Sequence, residues 1–189
     1  MPESEAEKSR RFEVEALPHL DALYNTALRM TQNPSDAEDL VQETFLKAHR
    51  FWDRYQARTN CRAWLFKILT NTRINQYVKK SKRPGQVNFE DVEPVLAQRE
   101  RFTLDRATHG DMSAFADLLH DEVKVALEAI PEEFRTVLVL SVIEGFAYKE
   151  IAQILEIPIG TVMSRLFRGR KLLQKSLREF ARNRGLVKD

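Results

Sequence analysis

The sequence predicts an all-α protein of two helical domains joined by an acidic linker, on three observations. Apolar residues recur at three- and four-residue steps along most of the chain, and no strand-like alternation stands out. The 189 residues include only 6 glycines and 7 prolines, too few for a turn-rich β protein. From Gln86 to about Gly110 the periodicity fades into an acidic stretch around Pro94, which reads as a linker. Hydrophobic residues make up 43% of the chain, enough to build real cores.

Taken in order, residues 14–31 place Leu17, Leu20, Leu23, Tyr24, Ala27, Leu28 and Met30 on one buried stripe. Asn33-Pro34 breaks that helix, and Ser35 with Glu38 three residues on has the form of a capping box for the next. There Ala37, Leu40, Val41, Phe45, Ala48 and Trp52 form a core face. Gln56–Asn60 reads as a loop, with Thr59 or Asn60 capping a helix from about Cys61 to Lys80 that stops before Pro84-Gly85. After the linker, helices are expected over about Met112–Ile130, from Pro131 to Glu144-Gly145, over Tyr148–Leu155 and over about Gly160–Phe180. The first domain is set at residues 12–84, the linker at 85–111 and the second domain at 112–183.

Charge and composition narrow the function. The net charge of +2 predicts no partner by itself. Resolved along the chain, residues 58–83 carry 8 basic and no acidic side chains, and residues 157–189 carry 9 basic and 2 acidic. Residues 84–122 between them carry 3 basic and 9 acidic. Two basic blocks on predicted helices point toward nucleic acid, although a basic run also suits a plain solvated face. One cysteine excludes an intrachain disulfide and fits a reducing compartment. The start MPESEAEKSRR has no apolar stretch, and no apolar run exceeds the four residues of Val137–Leu140, so a soluble, cytoplasmic chain without membrane insertion is expected. No His-x-x-x-His pair or Gly-rich phosphate loop is present, so neither enzyme chemistry nor a metal or other cofactor is expected.

The run YKEIAQILEIPIGTVMSRLFRGRKLL has helix-turn-helix spacing, with Ile151, Ala152, Leu155, Ile157, Val162 and Leu166 as the small core. Glu156 occupies the turn position where glycine is expected, at a cost of about 1 kcal/mol if its φ is positive. Met163, Ser164, Arg165, Phe167, Arg168 and Lys171 are left on faces open to solvent or to the major groove. The alternative is an amphipathic hairpin with a basic outer face.

In the first domain, TNCRAWLFKILTNTRINQYVKKSKRP begins apolar nearly all round and turns basic. Asn71 and Asn75 share one stripe with Trp64 and Ile68, and Arg73, Gln76, Lys80 and Arg83 share another. Amides suit base edges and lysines suit phosphates. The loop Arg58, Thr59, Asn60 with Trp52 and Tyr55 has the makings of a pocket for an unstacked base. Trp64 and Phe66 read as core, whereas Trp52 fits core and base stacking equally. Cys61 reads as a small, partly buried apolar residue at a helix start, with a redox switch as the alternative. Upstream, Asp39, Gln42, Glu43 and Leu46 lie away from the core stripe, suiting plain solvent exposure or a basic protein groove.

In this order and spacing, DAEDLVQETF, AWLFKILTN and IPIGTVMSRLFRGR resemble bacterial sigma factors of the extracytoplasmic-function (ECF) class, over roughly residues 12–180. FEVEALPHLDALYNTALRMTQNPSDAEDLVQETFLKA and ILTNTRINQYVKK look similar to the subgroup controlled by redox-responsive zinc-binding anti-sigma factors. The resemblance implies a sigma region two-like domain and a region four-like domain. It implies that Asp39, Gln42, Glu43 and Leu46 dock on the β′ clamp helices of core RNA polymerase, with the β flap a further contact. It assigns Arg58, Thr59, Asn60, Arg62, Asn71, Arg73, Asn75, Gln76, Lys79 and Lys80 to capture and melting of the −10 promoter DNA. It assigns Lys149, Thr161, Met163, Ser164, Arg165, Phe167, Arg168 and Lys171 to the −35 element. Arg165 falls to phosphate there, and Met163 stands where relatives often carry Lys or Arg. An anti-sigma factor is an implied partner. A stand-alone helix-turn-helix regulator is the alternative function, since it shares the C-terminal motif.

Overall fold

The computed structural model describes residues 5–55, 60–81 and 120–183. The proposed linker lies outside them, as does the start of the helix expected from Met112. All regular structure among the described residues is helical. The N-terminal domain comprises α1 (Glu5–Ala16), α2 (Leu20–Thr31), α3 (Pro34–Arg50) and α4 (Cys61–Ser81). The C-terminal domain comprises α5 (His120–Glu128), α6 (Glu132–Leu138), α7 (Tyr148–Leu155) and α8 (Ile159–Asn183). Of the residues at 77–81, only the helical backbone is described.

The helix expected over 14–31 is two helices. Pro18 lacks an amide proton to continue the ladder, so α1 gives way to a 3-10 turn at Leu17–His19 before α2 begins. Leu17 and Leu20, expected on the buried stripe, are 46% and 42% exposed because the turn rotates them outward. Leu23, Ala27 and Met30 remain buried. The cap of α3 also differs from expectation. Asn33 Oδ1 accepts from the Asp36 amide at 3.1 Å, displacing the predicted role of Ser35. The reason is Pro34, whose fixed φ suits the first helical position and moves the start two residues upstream. Asn60 caps α4 as expected, its Oδ1 accepting from the Ala63 amide at 3.0 Å.

Trp52, Tyr55, Leu65, Phe66 and Leu69 are buried in the N-terminal core. Phe12 of α1 packs edge-on against Trp52, with ring centroids 5.1 Å apart, and Trp52 stacks on Tyr55 at 4.7 Å. The proposed base pocket is therefore corrected at both aromatics, which are core. The sequence view missed α1, and α1 is what covers Trp52.

In the C-terminal domain, Ile151, Leu155, Val162 and Leu166 are buried between α7 and α8, with Ala152 and Ile157 partly buried beside them. The turn residue Glu156 is left-handed, φ 55° and ψ 41°, as its position required. Its amide and that of Ile157 both donate to Ala152 O, closing the helix end. Gly169 lets α8 approach α6 closely, since a Cβ there would lie 2.9 Å from Leu138 Cδ1. Gly169→Leu should therefore destabilise the chain by about 1 kcal/mol or somewhat more, read as a lower urea midpoint.

The two domains pack directly against each other, chiefly through α4 on α7 and α2 on α6. Phe66 and Phe146 meet edge to face across this boundary at 5.1 Å. Arg135, 6% exposed, donates to Ile130 O and Glu128 O in its own domain and to Met30 O at the end of α2, the last at 3.1 Å. Carbonyls at helix ends lack intrahelical donors, and a guanidinium supplies several at once.

Candidate nucleic-acid and protein interfaces

Three surfaces collect the candidate residues. On α3, Asp39, Gln42 and Leu46 are exposed on one stripe, with Leu46 at 66%. Glu43 is only half-buried beside them, pairing with Lys47 at 2.7 Å and accepting from Gln76 Nε2 at 2.8 Å. Glu43 thus ties α3 to α4 as well as lining the stripe. Leu46 is an apolar residue held outward by its helix register, among carboxylates and amides that a basic partner can match.

The second surface runs along α4. Asn60 is exposed at its cap, Asn75 is exposed, and Arg62, Asn71, Arg73 and Gln76 are half-buried. Arg58 and Thr59 lie outside the described residues, as do the side chains of Lys79 and Lys80. Most of the described candidates already have protein partners. Arg73 forms a two-pronged pair with Glu132, Nε to Oε1 at 2.8 Å and Nη2 to Oε2 at 3.1 Å. Arg62 pairs with Glu144 while its guanidinium lies 4.4 Å from the Phe146 ring centroid. Asn60 Nδ2 donates to Glu150 at 3.1 Å, and Asn71 Nδ2 to Glu156 at 3.5 Å. Lys67, unassigned by the sequence reading, pairs with Glu156 at 2.9 Å. Glu132, Glu144, Glu150 and Glu156 were also missed. Glu156 alone carried a signal, as a non-glycine in a turn that favours glycine.

The third surface is the start of α8. Met163 and Phe167 are 42% and 46% exposed, and Ser164, Arg168 and Lys171 are exposed on neighbouring turns. Lys171 Nζ lies 4.5 Å from the Phe167 ring centroid. Ser164 Oγ donates to Thr161 O at 3.1 Å, and Thr161 itself is half-buried. Arg165 reaches Glu133 of α6 at 3.3 Å, and Lys149 is exposed on α7. A helix presenting its first turns this way, braced by a second helix, fits a major groove.

Cys61 is 9% exposed at the first turn of α4. Burial pushes its thiol up to about 11, the Glu15 carboxylate adds to the rise, and a hydrogen bond with Tyr55 opposes it. The core reading holds, because a reactive cysteine needs thiolate and access. At pH 7.5 the folded chain should react with iodoacetamide roughly 100-fold more slowly than the urea-unfolded chain, by mass spectrometry. Equal rates would contradict the buried, protonated thiol.

Two helical domains, a helix-turn-helix in the second and a basic amide-rich helix behind an acidic one in the first, define a transcription initiation factor. The chain belongs to the sigma-70 family, in its ECF branch: residues 17–83 match Sigma-70 region 2 and residues 120–173 match Sigma-70, region 4. The RNA polymerase sigma-H factor of Pseudomonas aeruginosa is 30% identical, covering 92% of this chain and 89% of its own. The ECF RNA polymerase sigma factor SigE of Mycolicibacterium smegmatis is 36% identical, covering 84% of this chain and 58% of its own. Among solved structures, the sigma factor RpoE of Bartonella quintana in complex with the anti-sigma factor NepR superposes with a TM-score of 0.66 at 30% identity, covering 89% of this chain and 98% of that one. The sigma-70 family is not an enzyme family.

Proposed function

We propose that the chain binds core RNA polymerase in the cytoplasm, directs it to promoters with defined −35 and −10 elements, and helps open the −10 region in a stress response. The observation that carries this reading is the pairing of two unlike surfaces on adjacent helices of one domain. The exposed Asp39, Gln42 and Leu46 stripe suits a protein groove, and the basic, amide-rich α4 suits DNA. A stand-alone regulator needs only the helix-turn-helix.

In this reading residues 12–84 form the region two-like domain, 85–111 the linker and 112–183 the region four-like domain. Asp39, Gln42, Glu43 and Leu46 engage the β′ clamp helices, and the region four-like domain meets the β flap. Arg168, Ser164, Phe167 and Met163 face base edges at −35, while Lys149, Thr161, Arg165 and Lys171 hold the duplex backbone. Arg58, Thr59, Asn60, Arg62, Asn71, Arg73, Asn75, Gln76, Lys79 and Lys80 hold the opened −10 strand. Binding to unpaired bases offsets unstacking, which costs a few kcal/mol. Polymerase supplies the rest of the grip, so the isolated chain should bind promoter DNA weakly and with steep salt dependence.

An anti-sigma factor controls the chain in this reading, as the NepR complex of the Bartonella relative suggests. Resemblance to the subgroup with zinc-binding, redox-responsive anti-sigma factors favours a partner of that kind.

Purified core polymerase should retain the chain in a pull-down and gain promoter-specific initiation. Asp39→Ala with Glu43→Ala should weaken that binding by about 1 kcal/mol, several-fold in Kd, with unchanged helix content by circular dichroism. Unfolding of the double variant would mark the stripe as structural. A chain that binds an operator tightly alone and never engages core is instead the stand-alone regulator.

A further inference from the structure

Within the N-terminal domain a polar network joins the α3 stripe to the amide-rich α4, and Glu43 stands at its centre. One carboxylate oxygen, Oε2, accepts from Gln76 Nε2 at 2.8 Å, and the other, Oε1, pairs with Lys47 Nζ at 2.7 Å. The same ammonium donates to Thr72 Oγ1 at 3.1 Å. Glu43 and Lys47 lie one turn apart on α3, and Thr72 and Gln76 one turn apart on α4, so the four side chains meet where the two helices face each other. Thr72 is 2% exposed, Gln76 is half-buried, and Asn75 beside it is exposed. Gln76 thus sits at the rim of the network, bordering the surface assigned above to −10 DNA. Among the described residues no donor reaches its carbonyl oxygen.

We infer that Glu43 is a positioning residue for Gln76, fixing its amide so that the carbonyl is offered to one −10 base and that position prefers adenine or cytosine. The inference rests on the −10 reading of α4. An amide turned through half a circle exchanges its acceptor for a donor, so an unrestrained glutamine suits either kind of base edge. A carboxylate accepts and does not donate, and contact with Glu43 therefore selects one of the two orientations. Lys47 holds the second carboxylate oxygen, which keeps Glu43 from turning away. With its nitrogen drawn to α3, the amide has its carbonyl left for DNA. Adenine N6 and cytosine N4 are amino donors to that carbonyl, where guanine O6 and thymine O4 are acceptors that oppose it. The Lys47–Thr72 bond already ties α3 to α4. The bond one turn farther out adds a defined polarity at the surface. A carboxylate has about four lone-pair sites, so polymerase docking at Glu43 adds a donor without displacing Gln76.

The test uses core polymerase loaded with the full chain. A promoter library first gives the −10 block that the parent selects. Each position of that block is then set to A, C, G or T in a fluorescein-labelled single strand, the strand of the block that the loaded polymerase retains, and binding is titrated by anisotropy. The readout is the ratio of Kd for keto bases to Kd for amino bases at each position, which a uniform loss of folding or docking does not move. The parent should favour amino bases about fivefold at one position, and Gln76→Ala should abolish the preference there. Glu43→Gln, whose new amide donates or accepts, should reduce it to about twofold or less at the same position. Lys47→Met should act in the same direction, and Lys47→Arg, which still pairs with the carboxylate, should retain the preference. An unchanged ratio in Glu43→Gln, or a change at another position, overturns the inference. Where Glu43→Gln docks too weakly to be titrated, equal ratios in Lys47→Met and Lys47→Arg overturn it. Failure of the sigma reading has a different signature: the parent selects no −10 block at all, and the inference falls with it. A selected block with no amino preference at any position removes this inference alone.

Discussion

Arg135→Ala should lower the unfolding free energy by about 3 kcal/mol. The side chain is nearly buried and donates to three carbonyls, at Glu128, Ile130 and Met30, over 3.0–3.1 Å. Hydrogen bonds from a charged donor are each worth more than neutral ones, and truncation takes this donor from the Ile130 and Met30 carbonyls in buried contacts, while Glu128 O keeps Gln32 Nε2. Arg135→Lys should recover only part of the loss, because a single ammonium cannot bridge carbonyls from α2 and the α5–α6 connection together. Urea unfolding followed by circular dichroism reads the change. A loss below about 1 kcal/mol would mean that the three contacts are dispensable.

Arg168→Ala should cost about 1–3 kcal/mol in binding at the −35 element and relax specificity there. The residue is exposed on α8, one position after the 46%-exposed Phe167 and four after Ser164. Arginine bonds guanine through two parallel hydrogen bonds, so its removal should be felt most on the preferred sequence. Binding of the polymerase–chain complex to matched and mismatched −35 duplexes separates the outcomes. An equal loss on every sequence would reassign Arg168 to a phosphate.

The helices that bury a stripe were readable because burial and periodicity coincide in them. Ala37, Leu40, Val41 and Ala48 of α3 are buried as their spacing required, and so are Ile151, Leu155, Val162 and Leu166 around the helix-turn-helix. The turn at Glu156 was legible from one residue type at one position. What failed was local punctuation and covering elements. Pro18 sits inside an apolar pattern that otherwise continues, so periodicity alone hides the break between α1 and α2. The charged start of the chain concealed α1, whose buried residues are Phe12 and Ala16, and with it the fate of Trp52.

The α4 surface was half legible. Its basic, amide-rich character is written in the sequence, and that suffices to suggest nucleic acid. Its present partners are not, because Glu132, Glu144, Glu150 and Glu156 lie 59 to 90 residues away along the chain. No periodicity couples such positions; only tertiary packing brings them together. The near-neutral net charge of +2 thus conceals an internal complementarity as well as two basic blocks set apart from an acidic remainder.

Transcription in vitro from a random promoter library, with core polymerase and this chain as the only sigma factor, tests the central claim most directly. The expected result is initiation from templates that share two sequence blocks at a constant separation, one near −35 and one near −10. Arg168→Ala should loosen only the upstream block. Initiation no better than core polymerase alone, or selection of a single block bound by the chain without polymerase, would contradict it.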